Sequence, residues 1–544
     1  MHLHTQNAIE IPLDWTATDA DPEHRVAYWR EDVGINLHHW HWHLVYPFEG
    51  PPVAVQKDRR GELFYYMHHA IMARYNIERL CNNLPRARRL MNLREPIPEA
   101  YFPKLDSMVA GRAWPARPAG FVLSDVNRAA DAMRFDLSDI ELYRDRIMEA
   151  VHTRQVRNGK GGVIQLDEVT GIDILGNMME ASILSPDPAY YGDVHNMGHV
   201  AISFAHDPDH RYLVDNYKII SRYRAFSDLV GFQEPFTIMG DATTAMRDPV
   251  FYRWHAYVDY VFQIFKDSLS PYTVEQLVFP GINVTDIRIN TPGANPNTLN
   301  THWSKSDVDL SRGLDFTPRG SIMARLTHLN HDDFSYNITV NNSNNKELIG
   351  TVRIFIAPRF DETGRQFTFH DQRMLMIEMD KFTTQLKRGQ NVISRESVDS
   401  ALTIPFEATF RNVDLNRPSD QDIAAYDAFN FCGCGWPQHM LVPKGTKSGY
   451  PMDMFVMITN YELDRVNQRD PTGCREGVSF CGLRDLKYPD LRPMNFPFDR
   501  LGRTGVGSLN DFLTPNMKVQ QITVRFSDIV KPRQPSRGQT VIRL

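Results

Sequence analysis

Histidine carries most of the chemistry this sequence can offer. Imidazole is the side chain best suited to transition metals, because its neutral ring presents a lone pair near physiological pH. The 544 residues include 20 histidines, and a random scatter of that many would give roughly 0.7 pairs spaced His-x-x-x-His. Three occur: His39/His43, His195/His199 and His206/His210. The third encloses Pro208 within Asp207-Pro-Asp209, a run that favours a turn, so it is read as a loop. On a helix, residues four apart share a face with Cβ atoms about 5–6 Å apart, so each remaining pair can offer two imidazoles to one ion. An imidazole-bound first-row metal wants at least a third ligand. His68 lies downstream of the first pair and His255 downstream of the second.

Two triplets on four helices would make a bundle whose core holds two metals side by side. Neutral nitrogen ligands without carboxylate favour copper over iron, manganese or magnesium, and ligand type alone leaves zinc compatible. The His-Glu-x-x-His pattern of zinc hydrolases does not occur. His38, His41 and His69 adjoin the proposed ligands but cannot share their helical face, so they are read as supporting or packing residues. Trp40 and Trp42 are read as core.

The elements that must position these side chains fall into two textures. Leu63, Tyr66, Met67, Ala70, Ile71, Arg74, Ile77 and Leu80 recur at steps of three and four, predicting a helix over 62–80. Ser138-x-x-Glu141 reads as a capping box, with Leu142, Ile147, Met148 and Val151 on one side and an end before Asn158-Gly159. Further helices are expected at about 25–45, 194–206 and 248–267. Beyond about residue 270, short alternating runs such as Ile282–Ile289, Asn337–Val340, Leu348–Ile356 and Val519–Phe526 predict a β-sandwich. The expected fold is therefore α+β and multidomain: a linker at 1–24, a helical dicopper domain with a four-helix bundle core at 25–270, and an immunoglobulin-like β-sandwich at 271–544.

Composition narrows the partners. A mass of 62.7 kDa requires more than one core. A net charge of −6 gives no basic field for nucleic acid, and no apolar run approaches the roughly 20 residues that span a bilayer. Neither nucleic acid nor membrane is expected as a partner, and the N-terminus lacks the pattern of a secretory signal. Of five cysteines, Cys432, Cys434, Cys474 and Cys481 lie within 50 residues and predict a locally stapled region, with three pairings open. Cys81 is expected to be free and buried.

Arg30-Glu-Asp-Val-Gly-Ile-Asn-Leu-His-His-Trp-His-Trp-His-Leu-Val-Tyr-Pro47 resembles the first copper segment of arthropod prophenoloxidases and haemocyanins. Gly61–His69 and Ala73-Arg-Tyr-Asn76 resemble its continuation, and Tyr191–His199 and Ala245–His255 the second segment; the resemblance covers nearly the whole chain. It implies that His39, His43 and His68 hold one copper and His195, His199 and His255 the other. Storage relatives lose ligands that are all present here. Leu37 and Cys432-Gly-Cys-Gly-Trp-Pro-Gln-His-Met440 are closer to the enzymes than to the oxygen carriers. The implied activity is that of a phenoloxidase, which uses dioxygen to hydroxylate monophenols at the ortho position and to oxidise o-diphenols to o-quinones in melanin formation and innate immunity. A haemocyanin-like carrier is the alternative. The resemblance further implies dimers or hexamers, release from blood-cell cytoplasm into haemolymph without a signal peptide, and disulfides Cys432–Cys474 and Cys434–Cys481. Gly433-Cys-Gly-Trp-Pro437 also superficially resembles a complement-type thioester. Asn196, next to His195, is a candidate for orienting a proton-accepting water. Asp193 and Asp241 are read as caps or solvated groups.

Two features depart from the family pattern. Its further N-terminal helical domain, with an activation cleavage site and an aromatic plug for the copper pocket, has no counterpart in the sequence given. The expectation is a chain either active without proteolysis or poorly soluble. The interval from His199 to His255 is also longer than usual, with an apolar insertion at about 216–234. Closure cost grows by only about 0.6 kcal/mol per doubling of loop length, so His255 can still reach the site.

Overall fold

The computed structural model describes residues 8–107, 112–128, 133–206, 236–310, 322–406, 434–469, 477–483 and 486–533. The insertion at 216–234, His210, Cys432 and Cys474 lie outside the described residues. Among those described, no helix is long and apolar enough to cross a membrane.

Among the described residues, the longer helices of the first half are α1 (Val33–Val45), α2 (Arg60–Cys81), α3 (Leu137–Thr153), α4 (Gly171–Met179), α5 (Val194–Ser203) and α6 (Pro249–Asp267). The stretch expected as one helix over 25–45 is broken. A 3-10 turn at Pro22–Val26 and a short turn at Ala27–Arg30 precede α1, which starts afresh where the Asp32 carboxylate accepts the Ile35 N–H at 2.9 Å. A carboxylate there satisfies an orphan amide of the first turn. Helix α6 opens on the same device, Asp248 as cap and Pro249 at the first helical position.

Helix α3 starts earlier than its sequence suggests. The capping box is formed by Asp136 and Asp139 rather than by Ser138 and Glu141. The buried stripe is Leu137, Ile140, Ile147, Ala150 and Val151, whereas Leu142 is exposed. At 100° per residue Leu142 stands well away from Ile147, and the cap pairing of two aspartates decides the start.

The second half holds nine long strands: β2 (Ile282–Asn290), β3 (Thr298–Asp309), β4 (Met323–His331), β5 (Ser335–Asn342), β6 (Leu348–Pro358), β7 (Ile377–Leu386), β8 (Gly389–Glu396), β9 (Tyr450–Asn460) and β10 (Met517–Pro532). Ile9–Ile11, within the stretch read as a linker, forms β1 and pairs in parallel with β4. One sheet runs β1-β4-β3-β10-β9-β6-β7 and the other β8-β5-β2. The alternating side chains of both meet in one core that includes Ile287, Ile338, Val352, Ile354, Val456 and Val524. In β2 the inward set changes parity between Val284 and Ile287, because Thr285 has no counterpart opposite β5 and bulges. Strands β6 and β9 are buried on both faces, since Phe369, Phe496, Phe498 and Phe512 cover the outer side of the sheet.

Helix α2 joins the halves. Every residue in it except Ala70 and Asn76 is buried. Phe64 and Met67 belong to the helical core, while Ala73, Ile77 and Cys81 enter the β core. Cys81 is free and buried. Between the halves lies Arg74. Its guanidinium pairs with Glu78 at 2.8 Å, donates to the carbonyls of Val442 at 2.8 Å and Leu441 at 3.3 Å, and also bonds that of Met440. Arg74→Met would leave the buried Glu78 charge without this partner and these carbonyls without a donor. The expected cost is about 3–5 kcal/mol in chemical denaturation, and a loss below about 1 kcal/mol would contradict this account.

Candidate metal centre

Four helices deliver the six histidines named by spacing. His39 and His43 come from α1, His68 from α2, His195 and His199 from α5, and His255 from α6. Helices α5 and α6 pack closely because residue 198 is glycine: a Cβ there would stand 2.1 Å from the Trp254 ring. The Trp254 indole N–H donates to the His195 carbonyl at 3.2 Å and locks the two helices together.

All six rings form one cluster. Within the first triplet the ring centres lie 4.6 Å (His39–His43), 5.5 Å (His39–His68) and 5.6 Å (His43–His68) apart. Within the second they lie 4.7 Å (His195–His199), 5.1 Å (His195–His255) and 5.3 Å (His199–His255) apart. His68 and His255 stack across the boundary at 4.5 Å. The ligand nitrogens of His39, His43 and His68 lie within 4.8 Å of one another, as do those of His68, His195 and His255. His199 joins the second set through Nε2, 3.1 Å from Nε2 of His255.

The opposite edges of the rings explain why their Nε2 atoms are bare. His39 Nδ1 faces the Ala242 carbonyl at 2.9 Å, His199 Nδ1 that of Met239 at 2.9 Å and His68 Nδ1 that of Phe64 at 2.8 Å. A carbonyl oxygen can only accept, so these Nδ1 atoms carry the proton and each Nε2 keeps a lone pair. His195 Nδ1 donates to Asn196 Oδ1 at 2.8 Å, and His43 Nδ1 lies 3.4 Å from a Glu180 carboxylate oxygen. Two such lone pairs meet at 3.1 Å between Nε2 of His39 and of His43. Nε2 of His68 and of His195 are buried with no partner at all. A shared cation resolves both conditions, and six nitrogens with no carboxylate among them suit copper.

Burial favours the neutral form of five of the rings. Burial first, then repulsion from neighbouring imidazoles, holds His39, His68, His195 and His255 well below the usual histidine range. Burial likewise brings His199 down to about 4. Phe64 (4.4 Å from His68) and Phe251 (4.1 Å from His255) dry the cluster, with Trp42 at 5.2 Å from His43. Of the six rings only those of His43 and His199 are partly exposed, so the cluster opens on that side.

The neighbouring histidines are engaged elsewhere. His38 Nδ1 donates to the Gly435 carbonyl at 2.7 Å, and His69 pairs with Asp259 at 3.0 Å. His41 packs against Trp40. Asp193 caps α5 through the Asn196 N–H, and Asp241 accepts the Thr243 N–H and hydroxyl in a local turn. The Asn196 amide serves protein groups: beyond His195, its nitrogen donates to the Glu180 carbonyl at 2.9 Å and to Asp193 at 3.0 Å. Cys434 and Cys481 are disulfide-bonded.

Two supports escaped the sequence reading. Glu180 is fully buried, lies 2.7 Å from Arg60 as well as beside His43, and through its main-chain oxygen holds Asn196. In the sequence Glu180 is simply the residue after Met178-Met179, with nothing to mark it for His43. The stretch Ile238–Arg247 supplies the carbonyls of Met239 and Ala242, one for each triplet. Carbonyls have no side-chain signature.

Comparison with known proteins agrees with this geometry. Residues 1–262 match the family described as "Hemocyanin, copper containing domain" and residues 271–526 the one described as "Hemocyanin, ig-like domain". "Phenoloxidase 1" of Holotrichia diomphalia is 56% identical over 96% of this chain and 74% of its own length. Among solved structures, a scorpion hemocyanin in its activated state aligns with TM-score 0.83 and 38% identity, covering 96% of this chain and 78% of its own. A hemolymph-type prophenoloxidase from a crustacean aligns with TM-score 0.80 and 31% identity, covering 98% and 76%. A helical copper half followed by an immunoglobulin-like half, both matched along nearly their whole length, means that the chain belongs to the haemocyanin and phenoloxidase family.

Proposed function

We propose that the chain is a phenoloxidase whose two copper ions are held by His39, His43 and His68 and by His195, His199 and His255. The ligand assignment is carried by Nε2 atoms without protein partners: those of His39 and His43 meet at 3.1 Å with their far edges on the Ala242 carbonyl and the Glu180 carboxylate, and those of His68 and His195 are buried and unpartnered. The enzyme is favoured over the carrier by the 56% identity to a phenoloxidase against 38% to a hemocyanin. The domain division that goes with this reading is a copper domain at 25–270 and a sandwich at 271–544.

Copper bound there would supply the redox chemistry that activates dioxygen toward a phenol and withdraws electrons from a catechol. The chain's own residues supply the setting. Carbonyls of Phe64, Met239 and Ala242 fix the ring tautomers, and Phe64, Phe251 and Trp42 exclude water. The open side at His43 and His199 admits the aromatic substrate. Asn196, with its amide engaged on three protein groups, acts here as the residue that orients His195, in place of the water-orienting role read from sequence. By likeness to the haemolymph relatives, the chain works outside the cell after release from blood cells, as a dimer or hexamer.

Purified protein should hold two copper ions per chain by elemental analysis, should oxidise a catechol, and should lose both copper and activity in His68→Ala or His255→Ala. Reversible oxygen binding without catechol turnover would make it a carrier instead. Glu180→Gln should weaken copper held through His43, and Asn196→Leu copper held through His195. About 10–100-fold in affinity is expected for each. Titration of the copper-free protein against a competing chelator reads both, and an unchanged affinity would remove that residue from ligand support.

A further inference from the structure

Of the motif Cys432–Met440, the described residues 434–440 take no part in the histidine cluster. They lie instead along the back of α1. Residues one apart on a helix differ by 100° in direction, so this helix has two working faces. His39 and His43 turn to the metal cluster. Gly34, His38, Trp42 and Tyr46, repeating every four residues, turn to the β half.

The contacts climb that second face turn by turn. His439 Nε2 lies 2.9 Å from Asp32 Oδ2, and the other oxygen of the same carboxylate caps α1 at Ile35. Residue 34 must be glycine for this approach, since a Cβ there would stand 2.6 Å from the His439 ring. One turn on, His38 donates to the Gly435 carbonyl, its ring 5.2 Å from those of both Trp436 and Phe480. The Trp42 indole N–H then donates to the Phe480 carbonyl at 3.1 Å, and the Tyr46 hydroxyl to the Cys481 carbonyl at 2.6 Å. The two chain stretches that make these contacts, 434–440 and 477–481, are tied by the Cys434–Cys481 disulfide. With its sulfur in that bond, Cys434 has no thiol from which to form a thioester.

We propose that this disulfide-tied segment of the β half is a positioning brace for the first metal triplet, gripping α1 from behind so that His39 and His43 face the centre. The proposal rests on the six-histidine ligand reading. A 13-residue helix is marginal by itself, so the contacts on its two faces set its rotation. One face carries the ligands, and the brace supplies the other.

The test uses the full chain in three forms: unaltered, His439→Ala, and Cys434→Ser/Cys481→Ser. The single substitution keeps the disulfide and serves if the double variant does not fold. In copper-free protein, hydrogen exchange of the amides at 36–46 should quicken about 10-fold or more in the variants while those of α5 stay as they were. On copper titration the first triplet should lose affinity by at least about 10-fold. The copper left alone in the second triplet should then show the electron paramagnetic resonance of an isolated ion. Exchange and copper binding equal to the unaltered chain would overturn the proposal. So would loosening of α1 and α5 together with loss of both ions, which marks general destabilisation. Absence of copper from the unaltered chain would sink the ligand reading, while the exchange measurement still judges the grip on α1.

Discussion

Nitrogen lone pairs pointed at one another repel, and this fold brings Nε2 of His39 to 3.1 Å from Nε2 of His43 while leaving Nε2 of His68 and of His195 buried with no partner. Most of the helical half can be understood as what holds that arrangement in place. Four helices supply the rings, and three carbonyls, the Asn196 amide oxygen and the Glu180 carboxylate face the far edges of five of them. Three aromatic side chains exclude the water that would otherwise solvate the nitrogens. Because burial penalises the charged form, the rings stay neutral and open to a cation. The arrangement has the character of a site built for an ion rather than of a packed histidine cluster, in which each nitrogen would find a protein partner.

The two halves share this work more than a division into domains suggests. Helix α2 lies in both cores, with His68 facing the cluster and Ala73, Ile77 and Cys81 facing the sandwich. Arg74 spends its guanidinium on carbonyls of the segment just after the motif that lies against α1. A buried charge so placed contributes little net stability but penalises any arrangement in which the halves sit differently. The β half is thus structural support for the ligand helices and not an appended module.

The clustering of the six histidines was legible in the sequence because paired imidazoles at a helical interval are rare by chance and need no distant partner to be recognised. The strands of the second half were legible where period two survives, as in β5, whereas β6 and β9, buried on both faces, show no alternation. What escaped depends on contacts remote in the chain or on atoms without side-chain identity. The start of α3 turned on two aspartates of which neither belonged to the expected box. The bulge at Thr285 shows only when β5 is laid beside β2. Glu180 acquires its role only from Arg60 and His43, which lie more than a hundred residues away in the chain. Asn196 was noticed for its neighbour, but its partners, Glu180 among them, could not be foreseen.

The turn-rich stretch Ile238–Arg247 lends one carbonyl to His199 and another, three residues later, to His39. The spacing between those two anchors is therefore a length of main chain, set by a single turn and indifferent to which side chains hang from it. Drift in the local side chains would leave the gauge between the two metal positions untouched as long as the backbone path survives. An insertion or deletion of a single residue would alter it for both ions at once.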